Sequence, residues 1–380
     1  MIPSKAPFRR KANWLLALVV EAGSPAMKWY ARGRTGNGTL PPKSWKRALI
    51  LGDNHIGDVL YRSCSLCSLK SGLPDCEFYY LAESGTADIL AGNPYLKAVL
   101  PWARSDSRLD LSPEHMRELK SLSFDAALCT SCIRYWPELL LSLRLGIPNR
   151  VAYTYKGFSG WVTHPIHICY PKPFPAYFAD YVATLTGNSV VDDLRPQVFP
   201  SASSETEAEN VANRIGLTFS DTAIAFFLTT RQHIAVWPLA RFAQLFELIS
   251  NKLGAKVVLV GAAKDKTFLD AVSFGSSVRP YVCAGELSLS GLAAFLKRCA
   301  LVVTTDSGPR HIANAVGTKV LFFRNGSASE VETGKYCSNE TDLMPPGEFL
   351  SERSQIDLLR HIDPVEVLQH IVQALKSGSR

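Results

Sequence analysis

Two kinds of residue in this chain of 380 have chemistry to do, and both stand in short turns after apolar runs. The first is a carboxylate. Asp58 closes the turn Gly52-Asp53-Asn54-His55-Ile56-Gly57, which follows the run Ala48–Leu51. The second is a set of donors. Thr229, Thr230 and Arg231 follow Ala223–Leu228, Gly261 follows Lys256–Val260, and Asp306-Ser307-Gly308 follow the run from Leu301. After Gly308, Pro309 leads into a helix expected over Arg310–Val316. A strand, a glycine turn and a helix aim unpaired backbone N–H groups outward, where a phosphate is held well. Pro309 suits a first helical turn, which needs no N–H there, and Gly308 lets a ligand approach the backbone closely. The same turn is also an ordinary strand-to-helix connection in any α/β protein. Asp58, at a helix start, reads equally as a helix N-cap.

A carboxylate and phosphate-holding donors together fit a metal-free transfer from a nucleotide-linked group. Such a transfer needs a base for the attacking hydroxyl. It also needs fixed positive potential for the leaving diphosphate. Competing motifs are incomplete. Gly52 and Gly57 have P-loop spacing, but Asp58-Val59 stands where Lys-Ser/Thr is required. No Gly-x-Gly-x-x-Gly follows a strand, no Gly-x-Ser-x-Gly elbow occurs, and no Asp-x-Asp pair is present to hold a divalent metal. Cys64 with Cys67 and Cys129 with Cys132 have zinc-like spacing. Buried reduced thiols in a cytoplasmic protein explain both pairs more simply. No cofactor and no metal are expected.

The elements that must carry these turns alternate. Short apolar strands at Ala48–Leu51, Cys76–Leu81, Ala98–Leu100, Ala126–Cys129 and Arg150–Tyr153 are separated by helical patterns, including one over Val59–Leu69. Lys156–Pro175 interrupts with aromatics, prolines and histidines. After the polar connection Asn188–Ser204 the alternation resumes, and the chain closes with a helix over Pro364–Leu375. This describes two successive α/β domains, each a doubly wound parallel sheet, with ligands at the carboxyl ends of the strands and in the cleft where two such sheets face. The boundaries are a basic N-terminal arm over 1–46, a first domain over 47–190, a second over 200–345, and a closing helix and tail over 346–380.

Charge is unevenly placed. Residues 1–47 hold ten Lys/Arg and one acid, Glu21, so the remaining 31 bases and 33 acids are balanced. A nucleic-acid surface on the body is not indicated, whereas a basic arm suits anionic lipid. Within the arm, Trp14–Val20 is far too short to span a bilayer. It reads as a signal-peptide-like run, an interfacial segment, or part of a helix packed on the body.

Ala48–Trp102 resembles the N-terminal half of glycosyltransferase family 9, the ADP-heptose lipopolysaccharide heptosyltransferases. The residues that carry the resemblance are Leu49–Leu51, Ile56-Gly57-Asp58-Val59, Pro74-Asp75 and Leu90-Ala91-Gly92-Asn93-Pro94. Later blocks follow in the same order: Thr229-Thr230-Arg231 before Trp237-Pro238, Val257–Gly261, Ala284-Gly285, and Asp306-Ser307-Gly308-Pro309 with His311 and Ala313. The resemblance covers about 47–323 and the closing helix. It implies an α/β, glycosyltransferase B-type fold of two facing Rossmann-like domains, with the last helix returning to the first domain. It implies an inverting, metal-independent enzyme that moves heptose from ADP-heptose to a lipopolysaccharide core or other glycan acceptor, in the cytoplasm or peripherally on the inner membrane. Asp58 is then the catalytic base. Thr229, Thr230, Ser307 and Gly308 hold the diphosphate, and Asp265 is the candidate for the adenosine ribose. Arg231, Gly261, Asp306 and His311 complete the donor set, with His311 reading equally as a residue that satisfies its own turn. His55 either touches the acceptor or is a solvent-exposed loop residue.

One position departs from the family. Ala235 stands where the donor loop usually carries a lysine, so Arg231, His233 or Arg310 is expected to supply the missing cation. That departure keeps two other readings open: a transferase for another nucleotide-sugar, and a non-catalytic nucleotide-sugar binder.

Overall fold

The computed structural model describes residues 17–36, 38–52, 55–102, 111–132, 135–168, 171–189, 192–218, 220–229, 237–324, 330–344 and 361–376. The chain divides into two compact units. The first comprises Met1–Ala87 and Asn93–Leu194, and the second Asp88–Gly92 and Arg195–Arg380.

The first unit is built on β1 (Arg47–Leu51), β2 (Glu77–Glu83), β3 (Ala98–Trp102), β4 (Ala126–Cys129), β5 (Asn149–Tyr153) and β6 (His164–Ile166). They form one sheet in the order β3-β2-β1-β4-β5-β6. Every pairing is parallel, with Ala48 opposite Phe78 on one side and Ala126 on the other. Helices cover both faces of such a sheet, so its central strands read as continuous apolar runs. Ala48, Leu49, Ile50 and Leu51 are all buried, as are all four residues of β4.

The second unit repeats the plan with β7 (Ala223–Phe226), β8 (Lys256–Gly261), β9 (Tyr281–Ala284), β10 (Leu301–Thr305), β11 (Lys319–Phe323) and β12 (Glu340–Leu343). Its order is β12-β11-β10-β7-β8-β9, again parallel throughout. Its core is aromatic: Phe226 meets Phe246 edge-on at 5.2 Å, and Trp237 meets Phe242 at 5.2 Å and 88°.

Three features differ from the sequence expectation. The expected helix over Val59–Leu69 is two, Ile56–Ser63 and Leu66–Gly72. At the break, Ser63 Oγ donates to Leu60 O and Cys64 Sγ to Tyr61 O, so side chains compete for the last carbonyls. β6 and β12 were not anticipated, because HPI and ETDL are edge strands whose polar residues hide a strand pattern. The third difference is the closing helix, Pro364–Lys376, which was expected with the first domain and belongs to the second unit. Its stripe Val367, Leu368, Ile371 and Ala374 completes the aromatic core, and Lys319 Nζ donates to Leu375 O at 3.0 Å. Burying that stripe on β11 stabilises each fully buried aliphatic side chain by roughly 1.5–3 kcal/mol, which fixes the helix there. In the N-terminal arm, the described residues follow one of the three readings offered, a helix packed on the body. The helix Ser24–Thr35 packs on the turn Ser159–Trp161 of the first unit.

Candidate functional site

Each sheet has a topological switch point, where successive crossovers leave in opposite directions and the carboxyl ends of two neighbouring strands part. In the first sheet this lies between β1 and β4, and in the second between β7 and β10. Most of the candidate residues lie at these two places, while Gly261 and Asp265 follow the neighbouring strand β8. Gly52 follows β1 and Thr130 follows β4, while Thr229 lies past β7 and Asp306-Ser307-Gly308 follow β10.

In the first unit Asp58 is the third residue of the helix Ile56–Ser63. It is therefore not the N-cap. That position belongs to His55, which is exposed and extended (φ −76°, ψ 150°) and makes no side-chain capping bond. The helix N-terminus favours a negative charge on Asp58. Asp58 lines a concavity of about 370 Å³, open to solvent, with Arg62 and Thr130 beside it and Tyr61, Phe174, Tyr177 and Phe178 as aromatic walls. Tyr61 and Phe174 stack at 5.8 Å and 22°.

Arg62 is buried behind Asp58. Its Nη1 donates to Asp58 O at 2.9 Å and to Tyr80 Oη at 3.3 Å. Gly52 makes room for it, since a Cβ there would lie 2.4 Å from Arg62 Cζ and 2.6 Å from Thr130 Oγ1. Thr130 Oγ1 in turn donates to Leu51 O at 2.7 Å. A half-buried carboxylate above aromatic faces has what is needed to take a proton from a bound sugar hydroxyl. The aromatic wall and Thr130 were missed in the sequence. Phe174 comes from the very stretch whose aromatics looked like an interruption, and Tyr177 from just beyond it.

In the second unit Ser307 is the N-cap of the helix Gly308–Ala315 but makes no side-chain capping bond to it. Its Oγ lies 3.2 Å from Thr304 Oγ1 and donates to Thr305 O at 3.4 Å. Gly261 ends β8, where a Cβ would meet Leu269 Cδ1 at 2.8 Å. Asp265 is buried and accepts the Ala262 N–H at 3.1 Å, so its carboxylate organises the turn after Gly261. Thr230, Arg231, His233 and Ala235 lie outside the described residues.

Asp306 and His311 sit behind the Ser307 turn. Burial raises the Asp306 pKa, while the neighbouring Arg310 charge works the other way. His311 is buried, stacks on Tyr336 at 5.7 Å, and shares a hydrogen bond between Nδ1 and Tyr336 Oη at 2.7 Å. Burial, with the adjacent Arg310 charge, holds its pKa well below the usual histidine range, so the ring is neutral at pH 7.

Arg310 is not the spare cation that the sequence reading offered. Its side chain is completely buried and all of its donors are used within the protein. Nε donates to Glu340 Oε1, Nη1 to Asp306 Oδ1 and Thr333 O, and Nη2 to Gly334 O and Glu340 Oε2. Its guanidinium also lies 3.7 Å from the Phe322 ring centroid. Burial opposes the charge, but Glu340 and Asp306 outweigh it, so the pKa lies above the usual arginine value. Nothing of this arginine is left for a ligand. Of the cysteine pairs, Cys64 and Cys129 are buried thiols, and burial pushes Cys64 up to about 12. Among the described residues no group of three His, Cys, Asp or Glu is arranged to hold a metal ion.

Against this geometry, comparison with known proteins is consistent. The sequence model of glycosyltransferase family 9 (heptosyltransferase) matches residues 140–348. Lipopolysaccharide heptosyltransferase 2 of Escherichia coli (strain K12) is 22% identical over 287 residues, covering 72% of this chain and 81% of that one. Among solved structures, a glycosyltransferase family 9 protein from Veillonella parvula superposes with a TM-score of 0.73 at 17% identity, over 88% of this chain and 98% of that one. An E. coli heptosyltransferase with ADP superposes with a TM-score of 0.68 at 19% identity, over 86% and 99%. At these identities the structural likeness speaks for the fold. It is the glycosyltransferase B-type α/β fold expected from the sequence.

Proposed function

Because the chain belongs to glycosyltransferase family 9, and is thus a glycosyltransferase, we propose that it moves a heptose from ADP-heptose to a lipopolysaccharide core acceptor, with inversion and without a metal. The observation that carries this reading is Asp58, held on the first turn of its helix above an aromatic-walled concavity. The acceptor sugar lies on the aromatic faces. Asp58 takes the proton of its hydroxyl as the new oxygen–C1 bond forms and the C1–phosphate oxygen bond breaks. ADP leaves with that electron pair. Direct displacement by the hydroxyl, with no covalent sugar–enzyme stage, inverts the anomeric centre. Thr229, Thr230, Ser307 and Gly308 hold the diphosphate, with Arg231 as the remaining loop cation and Gly261 and Asp265 at the nucleoside. The relatives support the choice of donor and acceptor: one is named a lipopolysaccharide heptosyltransferase, and another is seen with ADP. The reaction belongs on the cytoplasmic side of the inner membrane. Among the described residues no helix is long and apolar enough to cross a membrane.

The test is direct. Purified protein incubated with ADP-heptose and a heptose-acceptor core should release ADP and lengthen the acceptor by one sugar, with chelator present. No product under these conditions defeats the reading. Ala235 favours one competing reading, a different nucleotide-sugar donor. Thermal stabilisation by ADP-, UDP- and GDP-sugars separates the two, since a ligand that binds only the native state raises the midpoint.

A further inference from the structure

We propose that the outward face of residues 17–35 is a docking surface for an anionic lipid bilayer, seated on a loop that hydrogen bonds tie to the wall of the Asp58 pocket. Leu18, Val19 and Trp29 are 50%, 72% and 78% exposed, unusual values for such side chains, and Ala22 and Ala26 between them are exposed too. Leu18 and Ala22 stand four apart in the helical stretch 17–22, and Ala26 and Trp29 three apart in the helix Ser24–Thr35, so each pair lies on one side of its own helix. Lys28, Arg32 and Arg34 are exposed around them. The sole acid in this stretch is turned inward: Glu21 Oε2 accepts the Ser159 N–H at 3.2 Å, and Oε1 accepts the Ser159 hydroxyl. The outward face is therefore apolar and basic with no acid. Tryptophan and aliphatic side chains among lysines and arginines match the boundary between headgroups and acyl chains. The charge singles out anionic lipid, because these bases belong to a segment holding ten Lys/Arg against one acid, on a body that is otherwise balanced.

The inward face is fixed by close backbone packing. A Cβ at Gly160 would lie 2.2 Å from Ser24 O, and one at Gly157 would lie 3.0 Å from Ala17 O. The loop so gripped leads to the pocket. Tyr135 Oη donates to Gly157 O at 3.1 Å, Tyr155 Oη donates to Cys132 O, and Cys132 lines the concavity with Asp58. A bilayer bound at 17–35 is thus one loop away from the wall of that pocket, an arrangement suited to a lipid-borne acceptor. Only this last point rests on the transferase reading above; lipid binding does not.

The experiment is co-sedimentation of the full chain with vesicles of phosphatidylcholine alone or mixed with phosphatidylglycerol, at low and high salt. Binding is expected to the mixed vesicles and to fall with salt. Lys28→Glu with Arg32→Glu should weaken it more than tenfold, at about fivefold per positive charge removed. Leu18→Ser with Trp29→Ser should weaken it severalfold, while melting temperature and transfer to a lipid-free acceptor stay unchanged. Absence of wild-type binding, or equal binding by both variants, overturns the proposal. So does sedimentation showing that the face joins two copies of the chain and that Trp29→Ser separates them. Vesicle binding without transfer to any acceptor leaves the surface standing and removes the transferase reading.

Discussion

Arg310 and Glu340 form a fully buried ion pair: Nε lies 2.6 Å from Oε1, and neither side chain is exposed. Glu340 also accepts from Asn314 Nδ2 and from the backbone N–H groups of Tyr336 and Cys337. One carboxylate on the edge strand β12 thus ties the helix after the Ser307 turn to the sheet. Removing one partner strands a buried charge and costs about 3–5 kcal/mol, while removing both costs much less. Glu340→Ala should therefore lower urea-unfolding stability by about 3–5 kcal/mol, and Arg310→Met with Glu340→Leu should regain most of it. Additive losses in the double variant would count against the pair as the source.

Asp58 carries the chemical proposal. Asp58→Asn keeps the shape of the helix turn and removes the base. Its kcat for heptose transfer should drop by roughly 10²–10⁴-fold, the range for a general base, with donor affinity within a factor of about two. An unchanged kcat would remove Asp58 from the base role. A lost donor affinity would mean that it holds substrate instead.

Gly52 marks the second position near the reaction. Gly52→Ala would place a methyl group 2.4 Å from Arg62 Cζ and 2.6 Å from Thr130 Oγ1. The guanidinium must then leave Asp58 O and Tyr80 Oη, so the helix turn carrying Asp58 loses its support. Overpacking of this kind costs about 1–3 kcal/mol. Unfolding in urea should show that loss, and kcat should fall by an amount similar to that of Arg62→Met. A fully active, fully stable alanine variant would show that the arginine does not position the turn.

The architecture was legible because parallel strands covered on both faces leave continuous apolar runs. Ala126–Cys129 is observed with the expected limits, and the strand expected over Arg150–Tyr153 starts one residue earlier. Edge strands leave no such trace, so Glu340 was invisible as the partner of Arg310. Without that partner, an arginine two residues past a phosphate-type glycine turn looked like a ligand cation. Aromatics in 156–175 carried no periodicity to place Phe174 at the Asp58 pocket, since its stacking on Tyr61 is a tertiary contact. The packing of Pro364–Lys376 was readable in principle from its apolar stripe, but a stripe does not say which sheet it covers.

His311 makes the second unit sensitive to acid. Its folded pKa lies well below 6.5, because burial first and the Arg310 charge second disfavour the imidazolium. Unfolded chains bind the proton below about pH 6.5, whereas the native state does not. Stability is therefore intact above that value and is lost as pH falls through the window beneath it, at up to about 1.4 kcal/mol per pH unit. Between about pH 7 and pH 5.5 the loss from this residue is about 1 kcal/mol. Burial also lowers the pKa of His164, in the first unit, so part of the overall slope is not from His311. The comparison that isolates it is wild type against His311→Gln in urea at both pH values. The variant should start less stable, having lost the bond to Tyr336 Oη, yet lose less on acidification by about 1 kcal/mol. Equal slopes would show that the buried imidazole takes up its proton without cost. The Asp306 carboxylate, 3.8 Å from Nε2, would then be the group that accommodates it.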